Sequence, residues 1–257
     1  MTKELTKKED TAIANFDDNA FADIGPDQDL TANDIQIPKL LLMQGQSPQV
    51  LDGKAKFGEL VDTQSWEKFA SFDEGVVFIP FHWRKAWIYK TKDGDKWKFH
   101  SIADVDRHNE KDDMYEEWVD KETNKLMKRV YTHFFLGLVP GESTPYSVAF
   151  RGGSKKHGDA LVTQMYVTNR NLKVDEAYKR SPMAKAIKLQ PNKTTNKSGD
   201  TFAELLISVE RDATKEEALD ALNWYKSVQS GEAKADYTDH EEEAKTGNNN
   251  VPDDVQF

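Results

Sequence analysis

Aromatic residues alternate with charged ones most densely between residues 76 and 99. In the middle of this stretch, Asp93-Gly94 is a two-residue hairpin signal, because both central positions of a type I′ turn need a positive φ. Successive side chains of a strand point to opposite faces, so such a hairpin can bury one row of rings and expose the other beside cations. The pattern therefore predicts two antiparallel strands with a ring-bearing surface.

An exposed row of this kind suits single-stranded nucleic acid, because bases stack on aromatic rings while lysine and arginine meet the phosphates. The alternative is an ordinary strand pair whose rings are all buried and whose lysines keep an edge soluble. The candidate contact residues are Trp83, Arg84, Lys85, Trp87, Tyr89, Lys90, Lys96, Trp97, Lys98 and Phe99.

Apolar runs elsewhere predict further strands and two helices. A strand at 130–139 is expected to be buried on both faces, because almost all of its residues are apolar. Thr214 and Glu217 form a capping box for a helix that Gly231 ends, and Ser154 is a second candidate cap. Asn192 begins a predicted loop at 192–199, and Pro48 a predicted turn. The remaining predicted strands are 59–63, 146–150 and 201–209.

Basic residues gather where the second helix would begin. Arg151, Lys155 and Lys156 follow or flank Gly152-Gly153, and the main-chain N–H groups of a helix start point outward. Together they would form a positive site of phosphate size. The alternative is a solvated helix start.

Acidic residues are concentrated at the two ends of the chain, whose 257 residues have a net charge of −10. Residues 1–34 hold three lysines against nine Asp or Glu, a net of −6, and residues 232–257 hold two against eight, also −6. Residues 35–231 therefore carry +2. The mean hydropathy of −0.77 and 31% charged residues indicate that part of the chain is unfolded. We expect disordered acidic termini around a mildly basic core.

The sequence lacks the signatures of several kinds of active site. There is no cysteine, P-loop, GxSxG elbow or HExxH motif, and the six histidines lack ligand-like spacing. His82 and His133 are expected to be packing residues of strands. The acidic segment 104–122 offers Asp104, Asp106, Asp112 and Asp113 as oxygen ligands, but it does not follow the calcium-loop pattern. We expect no enzyme activity, no metal and no cofactor.

No apolar run reaches membrane-spanning length and no signal peptide is visible, so a soluble cytoplasmic protein without a membrane partner is expected. The C-terminal tail ends in Phe257, whose ring and carboxylate could plug a pocket of a partner protein. The alternative is a tail that only increases solubility.

The ending resembles the acidic, Phe-terminated tails of bacterial and phage single-stranded DNA-binding proteins. Pro252, Asp253, Asp254 and Phe257 carry this resemblance, although the usual order places Pro next to the final Phe. The stretches IPKLLLMQGQSPQVLDGKAKFGELVDT (37–63) and PMAKAIKLQPNKTTNKSGDTFAELLIS (182–208) are similar to tailed-phage proteins described as DNA-binding or single-stranded-DNA-binding. That resemblance implies an OB-like barrel and a role in phage replication or recombination.

The sequence thus predicts a β-rich α+β protein with three parts. They are a disordered acidic arm (1–34), an OB-like nucleic-acid-binding core with a C-terminal helix (35–231) and a disordered acidic tail (232–257). The predicted function is sequence-nonspecific binding of single-stranded DNA, with a tail that recruits replication or recombination proteins and competes with DNA. The alternatives are a phage structural or assembly protein and a metal-dependent nuclease.

Overall fold

The computed structural model describes residues 36–94, 96–105, 115–235 and 237, and within these residues the chain is mostly β-strand. The strands are β1 (Gln36–Ile37), β2 (Lys39–Leu42), β3 (Leu60–Asp62), β4 (Lys68–Ala70), β5 (Val76–Asp93), β6 (Lys96–Asp104), β7 (Tyr115–Val119), β8 (Leu126–Leu138), β9 (Tyr146–Phe150), β10 (Lys185–Thr195), β11 (Thr201–Asp212) and β12 (Lys234–Ala235). The α-helices are α1 (Pro48–Leu51), α2 (Lys155–Thr163) and α3 (Lys215–Ser230).

Ten of these strands form one sheet, and β5 is its central element. The strand order is β11-β10-β5-β8-β9-β2-β3-β4, with β6 also paired to β5 and β7 also paired to β8. Residues 76–78 of β5 pair with β10, residues 79–91 pair with β8, and residues 86–93 pair with β6. All of these pairs are antiparallel except β2 with β9. The β5–β8 ladder therefore holds the sheet together.

The sheet curls into a half-barrel, and side-chain amides join its two ends. Gln44, just after β2, donates from Nε2 to the Ala203 carbonyl oxygen of β11 at 3.0 Å. Its Oε1 accepts from the Ala203 N–H, also at 3.0 Å. Gln190 of β10 donates to the carbonyl oxygen of Phe72, just after β4, at 3.2 Å. A primary amide in this position replaces the peptide group that a closing strand would supply.

The concave side of the half-barrel holds the main core, which α2 covers. Phe78, Phe135 and Phe150 are fully buried there, and Leu161 of α2 and Met165 of the π-helical turn that follows it pack onto them. A Cβ on Gly137 would lie 2.4 Å from the Phe78 ring, so glycine is required where the two strands meet.

The convex side carries a second core beneath α3. Ala218 and Ala221 of this helix pack against Phe81 and Leu136. The two ends of the core also meet there, because β1 and β12 form a short parallel pair.

Several sequence predictions are confirmed. The fold is β-rich and barrel-like with a C-terminal helix, and the predicted strands occur at 60–62, 126–138, 146–150 and 201–212. The capping box of α3 is complete, and Gly231 ends the helix with a left-handed φ of 83°. His82 and His133 lie within β5 and β8, as expected of packing residues.

Five local predictions were wrong. Asp93 pairs with Lys96 as the last residue of β5, so the hairpin connection begins at Gly94, one residue later than predicted. Ser154 does not cap α2, because its Oγ accepts from the Leu205 N–H at 2.8 Å. The predicted loop at 192–199 is shorter, since β10 continues to Thr195, and Pro48 begins the short helix α1. Part of the acidic excursion at 104–122 returns to the sheet as β7.

We predict that Gln44→Ala lowers the free energy of unfolding by about 1 to 3 kcal/mol, because it leaves the buried Ala203 N–H and carbonyl unsatisfied. Urea unfolding measures this change. The control is Gln64→Ala, an exposed glutamine in the β3–β4 turn. Equal stability of the two variants would contradict the role of Gln44 in joining the ends of the sheet.

Candidate nucleic-acid interface

The predicted contact residues lie on two opposite faces of the β5–β8 ladder. Residues directly opposite each other in an antiparallel pair share a face, and alternation sends their neighbours to the other one. We call the face that continues the concave core the inner face. It carries Trp83, Lys85, Trp87, Tyr89, Arg129, Tyr131 and His133. We call the opposite side the outer face. It carries Arg84, Lys90, Lys92, Trp97, Phe99, Lys128 and Phe134. The predicted rings therefore do not form one continuous platform.

The rings of the inner face mostly pack on one another. Trp87 is 3% exposed and lies edge-on to Tyr131 at 5.3 Å, and the Arg129 guanidinium lies 4.4 Å from its ring centroid. Tyr89 contacts Trp118 of β7 at 6.1 Å. Trp87 thus lies inside the protein and does not offer a free ring face.

A polar network fixes Trp83 at the edge of the inner face. The Trp83 indole N–H donates to His133 Nδ1 at 2.9 Å, so the ring proton of His133 resides on Nε2. His133 Nε2 donates to Asp159 Oδ1 of α2 at 2.9 Å, and Lys155 Nζ donates to the other oxygen of Asp159 at 2.7 Å. Tyr166 lies 6.0 Å from the Trp83 ring. The network joins β5, β8 and α2.

Burial controls the protonation of this histidine. His133 is 3% exposed, and burial lowers its pKa below the ordinary value of 6.5, with Asp159 opposing the shift. His133 therefore stays neutral at pH 7, as its hydrogen bond from Trp83 requires. Burial also lowers the pKa of His82 and that of His157.

The outer face places one indole among several ammonium groups. Lys128 Nζ lies 4.4 Å and Lys92 Nζ 6.0 Å from the ring centroid of Trp97, which is half-buried. Lys92 is exposed, whereas Lys90 is 1% exposed. Phe99 packs against a small apolar cluster formed by Ala86, Ile88 and Phe134. Trp97 is therefore a half-buried ring with two ammonium groups within 6.0 Å of its centroid.

The other predicted cations lie apart from this group. Arg84 Nε donates to Asp104 at 2.7 Å, and its guanidinium lies 4.7 Å from the Tyr237 ring. Lys98 pairs with Asp93 at 2.7 Å, and Lys96 lies opposite the same aspartate in the hairpin. By alternation, Lys96 and Lys98 project from the side opposite to Trp97.

The basic cluster at the start of α2 lies close to carboxylates. Lys155 pairs with Asp159, and Lys156 lies 3.2 Å from the buried Glu204 of β11. Burial alone would raise the pKa of Glu204, but hydrogen bonds from Thr194, Lys156 and Asn192 outweigh it and lower the pKa. Arg151 lines a cleft of about 200 Å³ next to this cluster. The helix start thus already carries an internal carboxylate where a phosphate was predicted.

Sequence reasoning missed the interaction partners of the candidate residues that come from distant segments of the chain. Asp159 and Glu204 meet the basic cluster only through folding. Lys128 could have been found by extending the alternation of β8 back to Leu126. Tyr237 is the lone aromatic residue at the start of the acidic tail, and it contacts Phe134 at 4.9 Å.

Several predicted residues lie outside the described part of the chain. They are Asp253, Asp254 and Phe257 of the tail and Asp106, Asp112 and Asp113 of the acidic excursion. Within the described residues, no three acidic or histidine side chains come together as a metal site would require. Among the same residues, none of the helices has the length and apolar character needed to cross a bilayer.

A comparison with protein families identifies the family of this chain. Residues 6–234 match the family described as Pam3 phage gp34-like protein, so the chain belongs to this family of phage proteins. Searches among curated proteins and among solved structures gave no match. The matched region contains the whole sheet and most of the predicted N-terminal arm, and it ends at residue 234, three residues into the predicted acidic tail.

We predict that the free energy of unfolding falls as the pH drops below about 6.5. The unfolded chain binds protons on histidine near that pH, whereas burial lowers the pKa of His133 in the folded protein, so acid favours unfolding. Urea unfolding at pH 7.5 and 5.5 measures the difference. His133→Gln should shrink it, and the exposed His100→Gln should not. An unchanged difference in His133→Gln would contradict the assignment.

Proposed function

We propose that this phage protein binds single-stranded DNA without sequence preference, as a binding protein and not an enzyme, in phage DNA replication or recombination. The observation that carries the proposal is the position of Trp97 on the outer face, with the ammonium groups of Lys128 and Lys92 at 4.4 and 6.0 Å from its ring. A base stacked on this indole would bring its phosphates beside those lysines. Stacking with phosphate neutralisation is the usual mode of sequence-independent binding.

The proposed contact set is narrower than the one predicted from sequence. Trp97, Phe99 and Lys92 form its centre, and Lys90 and Lys128 supply further charge beneath them. Trp83 and Tyr89 lie on the inner face. They would contact single-stranded DNA only if the DNA also passed around to that face of the β5–β8 ladder. We also propose that the fold is OB-like, because OB-folds bind single-stranded nucleic acid across a curved sheet.

The acidic tail has two roles in the proposal. Its carboxylates compete with DNA phosphates for the outer face, and Phe257 with Asp253 and Asp254 recruits a replication or recombination protein. Tyr237, near the start of the tail, contacts Arg84 and Phe134 of the outer face. This contact supports the proposed competition for the outer face. The competition acts through charge and is therefore weakened by salt.

We predict that Trp97→Ala weakens binding of oligo-dT by roughly 5- to 150-fold, because loss of one stacked base costs about 1 to 3 kcal/mol. Fluorescence anisotropy of a labelled oligonucleotide at fixed salt measures the affinity. Trp66→Ala is the matched control, since Trp66 is an exposed indole in the β3–β4 turn. Equal affinities of the two variants would overturn the role of Trp97. Absence of binding by the unaltered chain would favour an assembly protein.

We further predict that deletion of residues 238–257 tightens oligo-dT binding at low salt and abolishes partner recruitment. This boundary keeps β12 and Tyr237 in place. A variant whose tail has the same composition in scrambled order, without a terminal Phe, is the control. Its tail should still compete with DNA, but it should no longer recruit the partner protein. Equal or weaker affinity of the truncated chain in a fluorescence titration would remove the competition idea.

A further inference from the structure

One edge of the sheet is closed along only part of its length. The strand β11 lies at one end of the strand order, so one of its sides has no neighbouring strand in the described part of the chain. On this side, the side chain of Gln44 bonds to both the N–H and the carbonyl oxygen of Ala203. The next outward N–H, that of Leu205, donates to Ser154 Oγ. Side chains thus close the first part of the edge.

The edge continues beyond these contacts through residues 206–209, which we call the open segment. Main-chain groups of a strand alternate between its two sides, so Ile207 and Val209 direct their N–H and carbonyl groups to the same side as Ala203. Ser208 is exposed and Val209 is 50% exposed, so solvent reaches this part of the edge. An edge with outward main-chain groups and apolar side chains is a template for pairing with another strand.

A β-bulge ends the open segment. Glu210 has no partner in β10, because its neighbours Val209 and Arg211 pair with successive residues of that strand. A bulge bends its strand and interrupts the ladder. The outward main-chain groups of the open segment therefore belong to Ile207 and Val209, and its midpoint between them is Ser208.

We propose that the open segment pairs antiparallel with the same segment of a second copy, around a two-fold axis at Ser208. Ile207 of each copy then faces Val209 of the other, and each of these pairs exchanges both of its main-chain hydrogen bonds. The facing side chains are both β-branched, and such cross-strand pairs stabilise a sheet. An identical segment thereby satisfies the outward groups of Ile207 and Val209 in both copies.

The charges of β11 favour this register over the neighbouring one. With the axis at Ser208, Leu206 lies opposite Glu210 of the second copy, and no like charges face each other between residues 206 and 210. With the axis at Ile207, Glu204 would lie opposite Glu210 of the second copy. Like charges directly opposite each other in a strand pair are destabilising. The axis at Ser208 avoids this repulsion.

The symmetry of the contact fixes the size of the assembly. A two-fold axis uses the same segment of both copies, so the contact is closed and the assembly ends at two chains. Few residues of each copy take part, and small interfaces are typical of weak or transient complexes. The dimer should therefore form and dissociate with protein concentration.

Sedimentation velocity of the full-length protein without DNA, over a wide range of concentrations, tests the dimer. The mass of the unaltered chain should rise from 29.3 kDa towards twice that value as its concentration rises. Ser208→Asp should abolish the rise, because it sets two carboxylates opposite each other at the axis. Ser198→Asp, at an exposed serine of the β10–β11 turn, is the matched control and should keep it. Circular dichroism checks that both variants are folded.

A monomer at every concentration, or a rise in mass that survives Ser208→Asp, would overturn the proposal. A monomeric unaltered chain would mean that a segment of a different kind, and not a second copy, covers this edge.

Oxidation of a cysteine variant tests the register. The chain has no cysteine, so Ser208→Cys introduces its one thiol. Residues opposite each other in a non-hydrogen-bonded antiparallel pair have Cα atoms about 4.5 Å apart, which lies within the range of a disulfide. An added oxidant should therefore link two copies through residue 208 severalfold faster than it links the control Ser198→Cys. Equal rates, or no link through residue 208, would contradict the axis at Ser208. Because no DNA is present, these results stand apart from success or failure of oligo-dT binding.

Discussion

Strand alternation along β5 determines which residues of this protein can act together. The strand has 18 residues and three neighbours, and from His82 onward, after a bulge, every second side chain points to the same face. Trp83 and Trp87 therefore belong with α2 and the concave core, whereas Arg84 and Lys90 belong with the opposite surface. A binding surface can draw only on one of the two rows at any point. This constraint selects Trp97 as the central ring, because β6 places it in the row that carries the lysines.

The two faces also differ in how their charges are compensated. On the inner side, Asp159 and Glu204 meet Lys155 and Lys156, and His133 is held neutral between Trp83 and Asp159. These polar groups attach α2 to the sheet within the core. On the outer side, the ammonium groups of Lys128 and Lys92 lie 4.4 and 6.0 Å from the ring centroid of Trp97. Carboxylates thus accompany the cations of the inner side, and an indole ring accompanies those of the outer side.

Local sequence signals predicted the elements well and their arrangement poorly. The capping box at Thr214 and the apolar run of β8 depend on neighbouring residues, so sequence alone located them. The face on which each ring lies depends on register, and the hairpin turn was misplaced by one residue. The burial of Lys90 had no local signal at all, because it depends on strands and segments far away in the chain. The carboxylate partners of the basic cluster were missed for the same reason.

The central claim is that unpaired bases contact the outer face at Trp97. Ultraviolet crosslinking of oligo-dT to the full-length protein, followed by mapping of the modified peptide by mass spectrometry, tests this contact most directly. The account predicts adducts on the peptide that carries Trp97 and Phe99. Adducts confined to the β3–β4 turn around Trp66, or none at any salt concentration, would contradict it.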